Sequence, residues 1–275
     1  MNQTVFSKLA LALALAAFTS GCSANTATEK DQHAKAADNP PLVVDLSRTK
    51  ATDAELQHVQ GLSTAERLDL DFSEVTDQGL EYLKGSTNLR RLNLYNTQVT
   101  DVGLKYLKGL TNLEKLHLSE TRVTDAGLEH LKGLSKLQVL DLPDNITDAG
   151  LEHIKGLTQL QELSLGYSQV TDAGLEHLQR LTNLQTLYLR RTQVTDAGLK
   201  HLRGLIKLQK LYLDQTEVTD AGLEHLKGLT ELQSLDLSLT QVTRAGVNKF
   251  QQALPHCMIV YKVEEGGQQA AGSRQ

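Results

Sequence analysis

The sequence predicts an α/β fold: a curved solenoid of about nine repeats, with parallel strands on its concave face and short helices on its convex face. Three observations predict it. The pair Thr-Asp falls at Thr52, Thr76, Thr100, Thr124, Thr147, Thr171, Thr195 and Thr219, with Thr243-Arg244 as a ninth, degenerate copy. Every step is 24 residues except Thr124 to Thr147, which is 23, and a period of roughly 20–50 residues marks stacked supersecondary units. Within each copy, Leu first alternates with polar residues and then recurs at helical spacing. Those two periods belong to a half-buried strand and to a helix.

Residues 1–22 read as an export signal. "MNQTVFSKLALALALAAFTSGC" carries one lysine, Lys8, then an apolar run from Leu9 to Phe18. The run is too short to cross a bilayer as a helix and has the length of a signal-peptide core. The segment resembles a bacterial lipoprotein signal, in which the cysteine after a small residue, here Cys22 after Gly21, is lipidated and becomes the mature N-terminus. Thr19 departs from that motif, which carries an aliphatic residue there. An ordinary secretory signal cut nearby is the alternative. Ser23 resembles an outer-membrane sorting pattern in a Gram-negative envelope. Residues 23–41, "SANTATEKDQHAKAADNPP", lack the apolar groups to offset ordering entropy and read as a disordered tether.

Residues 42–262 hold the repeats. In "LRRLNLYNTQVTDVGLKYLKGLTN", Leu92 and Leu94 alternate with Arg91, Asn93 and Tyr95, the signature of a strand with one buried face. Thr100 then supplies a helix N-cap, and Asp101 a negative charge at the positive end of the helix dipole. Leu104 and Leu107 share a helical face, Lys108 falls in the last turn, and Gly109 can adopt the left-handed cap conformation. One coil cannot bury both apolar sides, so the coils must stack around a continuous Leu core. The 23-residue copy, "LQVLDLPDNITDAG", loses a residue beside Asn145 and gains Pro143, which predicts a local loop change and not a domain boundary. Arg180 stands where Gly follows the other helices. "NKFQQALPHCMIVYK" predicts a last helix and a closing strand, and residues 263–275 a loose tail.

The phrase "LxxLxL…T…VTDxGLxxLKGL" resembles the leucine-rich repeat, from about Leu42 to Lys262. "TDxGL" is most similar to the cysteine-containing subtype of eukaryotic F-box proteins and to tandem repeats of secreted bacterial proteins. The resemblance implies partner binding on the strand-lined face. Where the subtype has Cys, this chain has Thr49, Thr97, Thr121, Thr192, Thr216 and Thr240, with Ser73, Asn145 and Ser168 filling the column. These side chains can hydrogen-bond nearby backbone turns.

The totals exclude several functions. A net charge of −5 with dispersed Lys and Arg argues against a nucleic-acid ligand. With Cys22 modified, Cys257 is left alone, a small core residue, and no disulfide framework exists. There is no Gly-rich phosphate loop, no "GxSxG", no "HExxH" and no zinc-spaced Cys pair, so neither an enzyme nor a cofactor is expected. His58, His130, His153, His177, His201 and His225 recur in one column with Tyr82 and Tyr106. Neighbouring helices lie about 10 Å apart, too far for two imidazoles to share a metal, and copying of one repeat explains the row. Glu129, Glu152, Glu176 and Glu224 face Lys132, Lys155, Gln179 and Lys227 at i, i+3, mostly as helix-surface ion pairs.

Specificity must lie in the residues that vary on the strand face. Arg67, Arg91 and Lys115 fall side by side, a costly like-charge row that Asp45, Asp69 and Asp71 are close enough to answer. Tyr188, Arg190 and Tyr212, with Tyr167 and Arg191 at the rim, have the composition of a binding hot spot. The expectation is a monomeric, non-enzymatic envelope protein that binds a protein or glycan on its concave face. The alternatives are a structural envelope component and the substrate-receptor arm of an F-box ubiquitin ligase, for which no preceding F-box-like domain is visible.

Overall fold

A computed structural model describes residues 42–59 and 62–262. The expected signal at 1–22 with Cys22, the tether at 23–41 and the tail at 263–275 lie outside the described residues. Ten strands form one parallel sheet in strict chain order. They are β1 (Val43–Asp45), β2 (Arg67–Asp69), β3 (Arg91–Asn93), β4 (Lys115–His117), β5 (Val139–Asp141), β6 (Glu162–Ser164), β7 (Thr186–Tyr188), β8 (Lys210–Tyr212), β9 (Ser234–Asp236) and β10 (Met258–Val260). Each connection carries a short helix: α1 (Asp53–Gln57), α2 (Asp77–Glu81), α3 (Asp101–Leu104), α4 (Asp125–Leu128), α5 (Asp148–Ile154), α6 (Asp172–Leu175), α7 (Asp196–Leu199), α8 (Asp220–Leu226) and α9 (Arg244–Ala253). The last helix and the closing strand fall where the sequence places them.

The register stacks like on like. Leu68, Leu92, Leu116, Leu140, Leu163, Leu187, Leu211 and Leu235 pair in series, and the row ends on Ile259. Helix leucines such as Leu104, Leu128 and Leu199 close the same core from the other side, fully buried. Cys257 is buried there too, and burial pushes its thiol up to about 11, which leaves it protonated and inert.

A second ladder, of polar groups, runs through the helix starts. Most Thr hydroxyls of the Thr-Asp pairs cap their own helix, as Thr195 Oγ1 does by accepting from the Ala197 N–H, whereas Thr124 makes no such cap. The Asp does more than sit at a helix dipole. Asp172 accepts from the Thr195 N–H at 2.7 Å and from its hydroxyl at 2.6 Å, one repeat on. The same two bonds recur from Asp53 to Thr76 and from Asp220 to Thr243. The ends of the ladder explain two irregularities. Among the described residues no coil precedes Thr52, and Glu55 of its own helix accepts from its N–H at 2.7 Å instead. At the other end Thr243 still donates to Asp220, but among the described residues no further Thr follows for an Asp at position 244 to serve, and Arg244 stands there.

The glycine of "TDxGL" follows from this ladder. A Cβ on Gly103 would meet Asp77 Oδ1 at 2.5 Å. Glu55 occupies the equivalent position in the first repeat, where no Asp arrives. The glycine after each helix behaves differently from expectation. Gly109 does not take the left-handed conformation; among the described residues only Gly85 of these glycines has a positive φ, of 91°. The helices instead tighten into 3₁₀ turns such as Lys105–Gly109 and Glu176–Arg180, which is why Arg180 fits in place of Gly.

Left-handed residues occur after the strands instead, at Asn96 (φ 51°), Glu120 (57°), Tyr167 (66°) and Arg191 (54°) among others. Except at Glu120, the N–H groups of these four residues extend the sheet: Asn96 donates to Ser119 O at 3.0 Å and Tyr167 to Arg190 O at 2.7 Å. The short repeat lacks a left-handed residue, and no acceptor meets the Glu120 or Asp144 N–H among the described residues. Strand pairing across it is intact, with Asp141 opposite Ser164, so the deletion is a local change as expected. The Thr column behaves as expected where it is Thr: Thr97 Oγ1 donates to Leu94 O at 2.8 Å and Thr192 to Leu189 O at 2.7 Å. The Ser73 and Ser168 hydroxyls and Asn145 Oδ1 in that column are buried without a partner.

Candidate functional site

The strand face presents three outward columns, and pairing fixes which side chains are neighbours. Tyr188 of β7 lies opposite Tyr212 of β8. Adjacent parallel strands are about 4.8 Å apart, close to the distance at which aromatic rings stack. The two rings are 4.6 Å apart and inclined by only 7°. Two residues on, Arg190 Nε reaches Asp214 Oδ2 at 2.8 Å, and its guanidinium lies 5.4 Å from the Tyr167 ring. Arg191 lies 5.3 Å from the same ring and donates to Gln215 Oε1. All five residues expected to form the hot spot are therefore brought together.

Burial dominates the electrostatics at the centre of this cluster. Burial, helped by the Glu162 carboxylate, pushes the Tyr188 phenol up to about 12. Burial also raises Asp214, with repulsion from Asp236 outweighing the attraction of Arg190. Arg190 is thus committed to its neighbour, and it orders the surface rather than waiting for an anion.

Beside the cluster is a hollow of about 370 Å³ that the sequence reading missed. Tyr95 walls one side and Tyr167, Tyr188 and Arg190 the other, over a floor that includes Leu142, Ser164 and Gly166. The third outward column reads Tyr95, Ser119, Pro143, Gly166, Arg190, small residues between large ones. That run, together with the one-residue deletion, was the available signal. A smaller hollow shares Ser164 and Tyr188 with it and is lined at its other side by His117. There His117 Nδ1 lies 3.8 Å from Asp141 Oδ2. Burial works against the Asp141 charge, but the polar side chains of His117, Ser164 and Ser119 around it hold its carboxyl below the usual range.

The cationic row lies over a third hollow of about 350 Å³ at β1 to β4, which Asp45 and Asp69 also line and which shares His117 with the smaller hollow. Arg67 pairs in register with Arg91, and Arg91 with Lys115. The expected answer from Asp45, Asp69 and Asp71 is absent: among the described residues no carboxylate lies within ion-pair distance of the three cations. The acids are turned to other partners. Asp45 accepts from the Ser47 N–H, and Asp69 from the Asp71 N–H and from Asn93 Nδ2 at 2.9 Å. Asp71 faces Arg48 at 3.9 Å.

The histidine row lies on the helix side and reaches across repeats. His177 Nδ1 is 3.1 Å from Glu152 Oε2, while His201 and His225 meet Gln179 and Arg203. Among the described residues, no three His, Cys, Asp or Glu side chains are grouped to hold a metal ion. The expected i, i+3 pairs form between Lys155 and Glu152, and between Lys227 and Glu224 at 2.6 Å. No described helix is long and apolar enough to cross a membrane.

Known proteins agree with this architecture. A family described as Leucine Rich repeats (2 copies) matches residues 87–133, and one described as Leucine Rich repeat matches 156–178 and 180–202. Internalin C2 from Listeria monocytogenes is similar in structure, with a TM-score of 0.60 and 29% identity over 77% of this chain and 84% of that one. An internalin (inlF) from the same organism aligns with a TM-score of 0.42 and 20% identity, covering 77% of this chain and 83% of its own. No curated protein sequence matches. With the stacked leucine core, the in-register parallel strands and the matched segments, the chain carries leucine-rich repeats and has the fold of a leucine-rich-repeat solenoid.

Proposed function

We propose that this chain is a non-enzymatic binding module of a bacterial cell envelope, anchored through Cys22, that recognises a protein partner on its strand face. The observation that carries the reading is the stacked Tyr188–Tyr212 pair beside an aromatic-walled hollow. Two rings held parallel by strand pairing, with Arg190 fixed by Asp214, form a surface that loses little side-chain entropy when covered. Aromatic and guanidinium groups of this kind contribute most of the free energy in many interfaces. Anchoring is a separate element of the proposal, resting on the Gly21-Cys22-Ser23 sequence alone. Mass spectrometry of the mature N-terminus tests it: an acylated cysteine supports the anchor and a free amino group at another residue refutes it.

The binding test is cross-linking capture from the native envelope, with wild type beside a Tyr188→Ala, Arg190→Ala, Tyr212→Ala variant of matched melting temperature. Hot-spot residues contribute about 2 kcal/mol or more each, so the variant should lose the partner. Equal capture by both proteins would refute the assignment of this site, and an empty capture from both would favour a structural role.

A further inference from the structure

We propose that Arg67, Arg91 and Lys115 form a receptor site for the carboxylates of an acidic, extended peptide segment of the partner. The inference rests on the reading of the strand face as a protein-binding surface and assigns the chemistry of its second half. Three cations stand in one column of three adjacent strands, in register, over a hollow of about 350 Å³. Rows of like charge on neighbouring strands repel, and among the described residues no carboxylate lies within ion-pair distance of this row, although Asp45 and Asp69 line the same hollow. The acids beside it are committed elsewhere. Glu66 and Glu114, each next to a member of the row in sequence, both turn to Arg90, at 3.7 and 2.6 Å. Asp69 holds Asn93 and the Asp71 N–H, and His117 holds Asp141. The chain as a whole is acidic, with a formal charge of −5, so a local surplus of cations runs against its average.

The dimensions favour a peptide. Strands about 4.8 Å apart make the row about 10 Å long, and side chains at i and i+2 of an extended segment are about 7 Å apart. Two carboxylates of such a segment fit within the row, each between two cations. Arg67 and Arg91 present guanidinium forks, which take carboxylates in paired hydrogen bonds. Proximity points to the same source: the hollow over the row shares His117 with a smaller one that Tyr188 also lines. One protein partner lying along the repeats would cover both.

The test is fluorescence anisotropy with a labelled synthetic peptide bearing Glu at alternate positions in a Gly-Ser background. Its Gln counterpart, inorganic phosphate and polygalacturonate serve as comparison ligands. Binding of the Glu peptide should be at least tenfold tighter than that of the Gln peptide, and should weaken steadily as salt rises. An Arg67→Gln, Arg91→Gln, Lys115→Gln variant should lose the binding and melt no lower than wild type, because repulsion has been removed. The Tyr188→Ala, Arg190→Ala, Tyr212→Ala variant should keep it, which separates this site from the aromatic one. Equal binding of the Glu and Gln peptides, undiminished binding to the Gln variant, absence of peptide binding, or tighter binding of phosphate or polygalacturonate than of the peptide would each overturn the proposal. The salt dependence on wild type reads the same question without any variant.

Discussion

At the scale of single residues, a small number of close approaches hold one coil to the next. The two glycines found in most repeats look alike in sequence but differ in what surrounds them. Gly103 is confronted by the Asp77 carboxylate, whereas a Cβ on Gly109 meets nothing within 4 Å. Gly103→Ala should therefore push Asp77 off Thr100 and lower stability by about 1–3 kcal/mol, the cost of leaving such groups unpaired. Gly109→Ala, whose φ is not left-handed, should be neutral or stabilising; thermal melts of the two variants decide the matter, and equal losses would refute the distinction. Tyr188 offers a second check. Its phenol is held at about 12 against an ordinary value of 10.0, so the folded state retains a proton that the unfolded state releases. Stability should then fall as pH rises from about 10 to about 12, and Tyr188→Phe should abolish that component. Ultraviolet titration in which every tyrosine ionises near pH 10 would contradict it. The leucine positions and the aromatic cluster were legible in the sequence because a period reports which side chains share a face. The Asp-to-Thr bonds were not: the residues are 23 apart in sequence, and a local reading of Asp172 stops at its own helix. The solitary state of Arg67, Arg91 and Lys115 was also hidden, because it depends on where neighbouring acids point.

Among the elements, the coil with 23 residues stands out. Its strand pairs normally on both sides, and its Asp148 still serves Thr171. What it lacks is the left-handed turn residue and two backbone hydrogen bonds on the strand side. The deletion thus removes material beside the strand face while leaving the helix side in register, and Leu142, Asp144 and Gly166 line the hollow that results. Sequence counting located the irregularity but could not give its outcome, because a missing residue can be absorbed on either side of a coil. Inserting one residue between Asp144 and Asn145 should restore the turn, fill the hollow and raise the melting temperature, while weakening capture of the partner. A variant that binds as well as wild type would show that the hollow is not part of the site. For the regular coils, Asp172→Ala removes two bonds to Thr195 at 2.7 and 2.6 Å. A loss of about 2 kcal/mol corresponds to a melting temperature lower by roughly 4–8 °C in a chain of this size.

Across the whole molecule, each repeat touches only its neighbours, so stability is approximately a sum of coils and interfaces. The ends are finished by different devices, Glu55 on Thr52 at one and α9 with β10 at the other. Between them, the leucine core and the Asp-to-Thr ladder run without a break, and the interruption in the turn hydrogen bonds falls at the short coil. Local opening should therefore concentrate there without dividing the stack. Native-state hydrogen exchange tests this directly. The amides of Asn96, Tyr167 and Arg191 are bonded across to the next coil at 3.0, 2.7 and 3.0 Å and should be protected. Those of Glu120 and Asp144, without acceptors among the described residues, should exchange far faster. Equal protection at all five positions would refute the idea that the short coil is the weak point of the strand side. A partner seated in the hollow should slow exchange at Glu120 and Asp144 first, because both residues line it. Slowing confined to the helix-side histidines would instead place the partner on the opposite face.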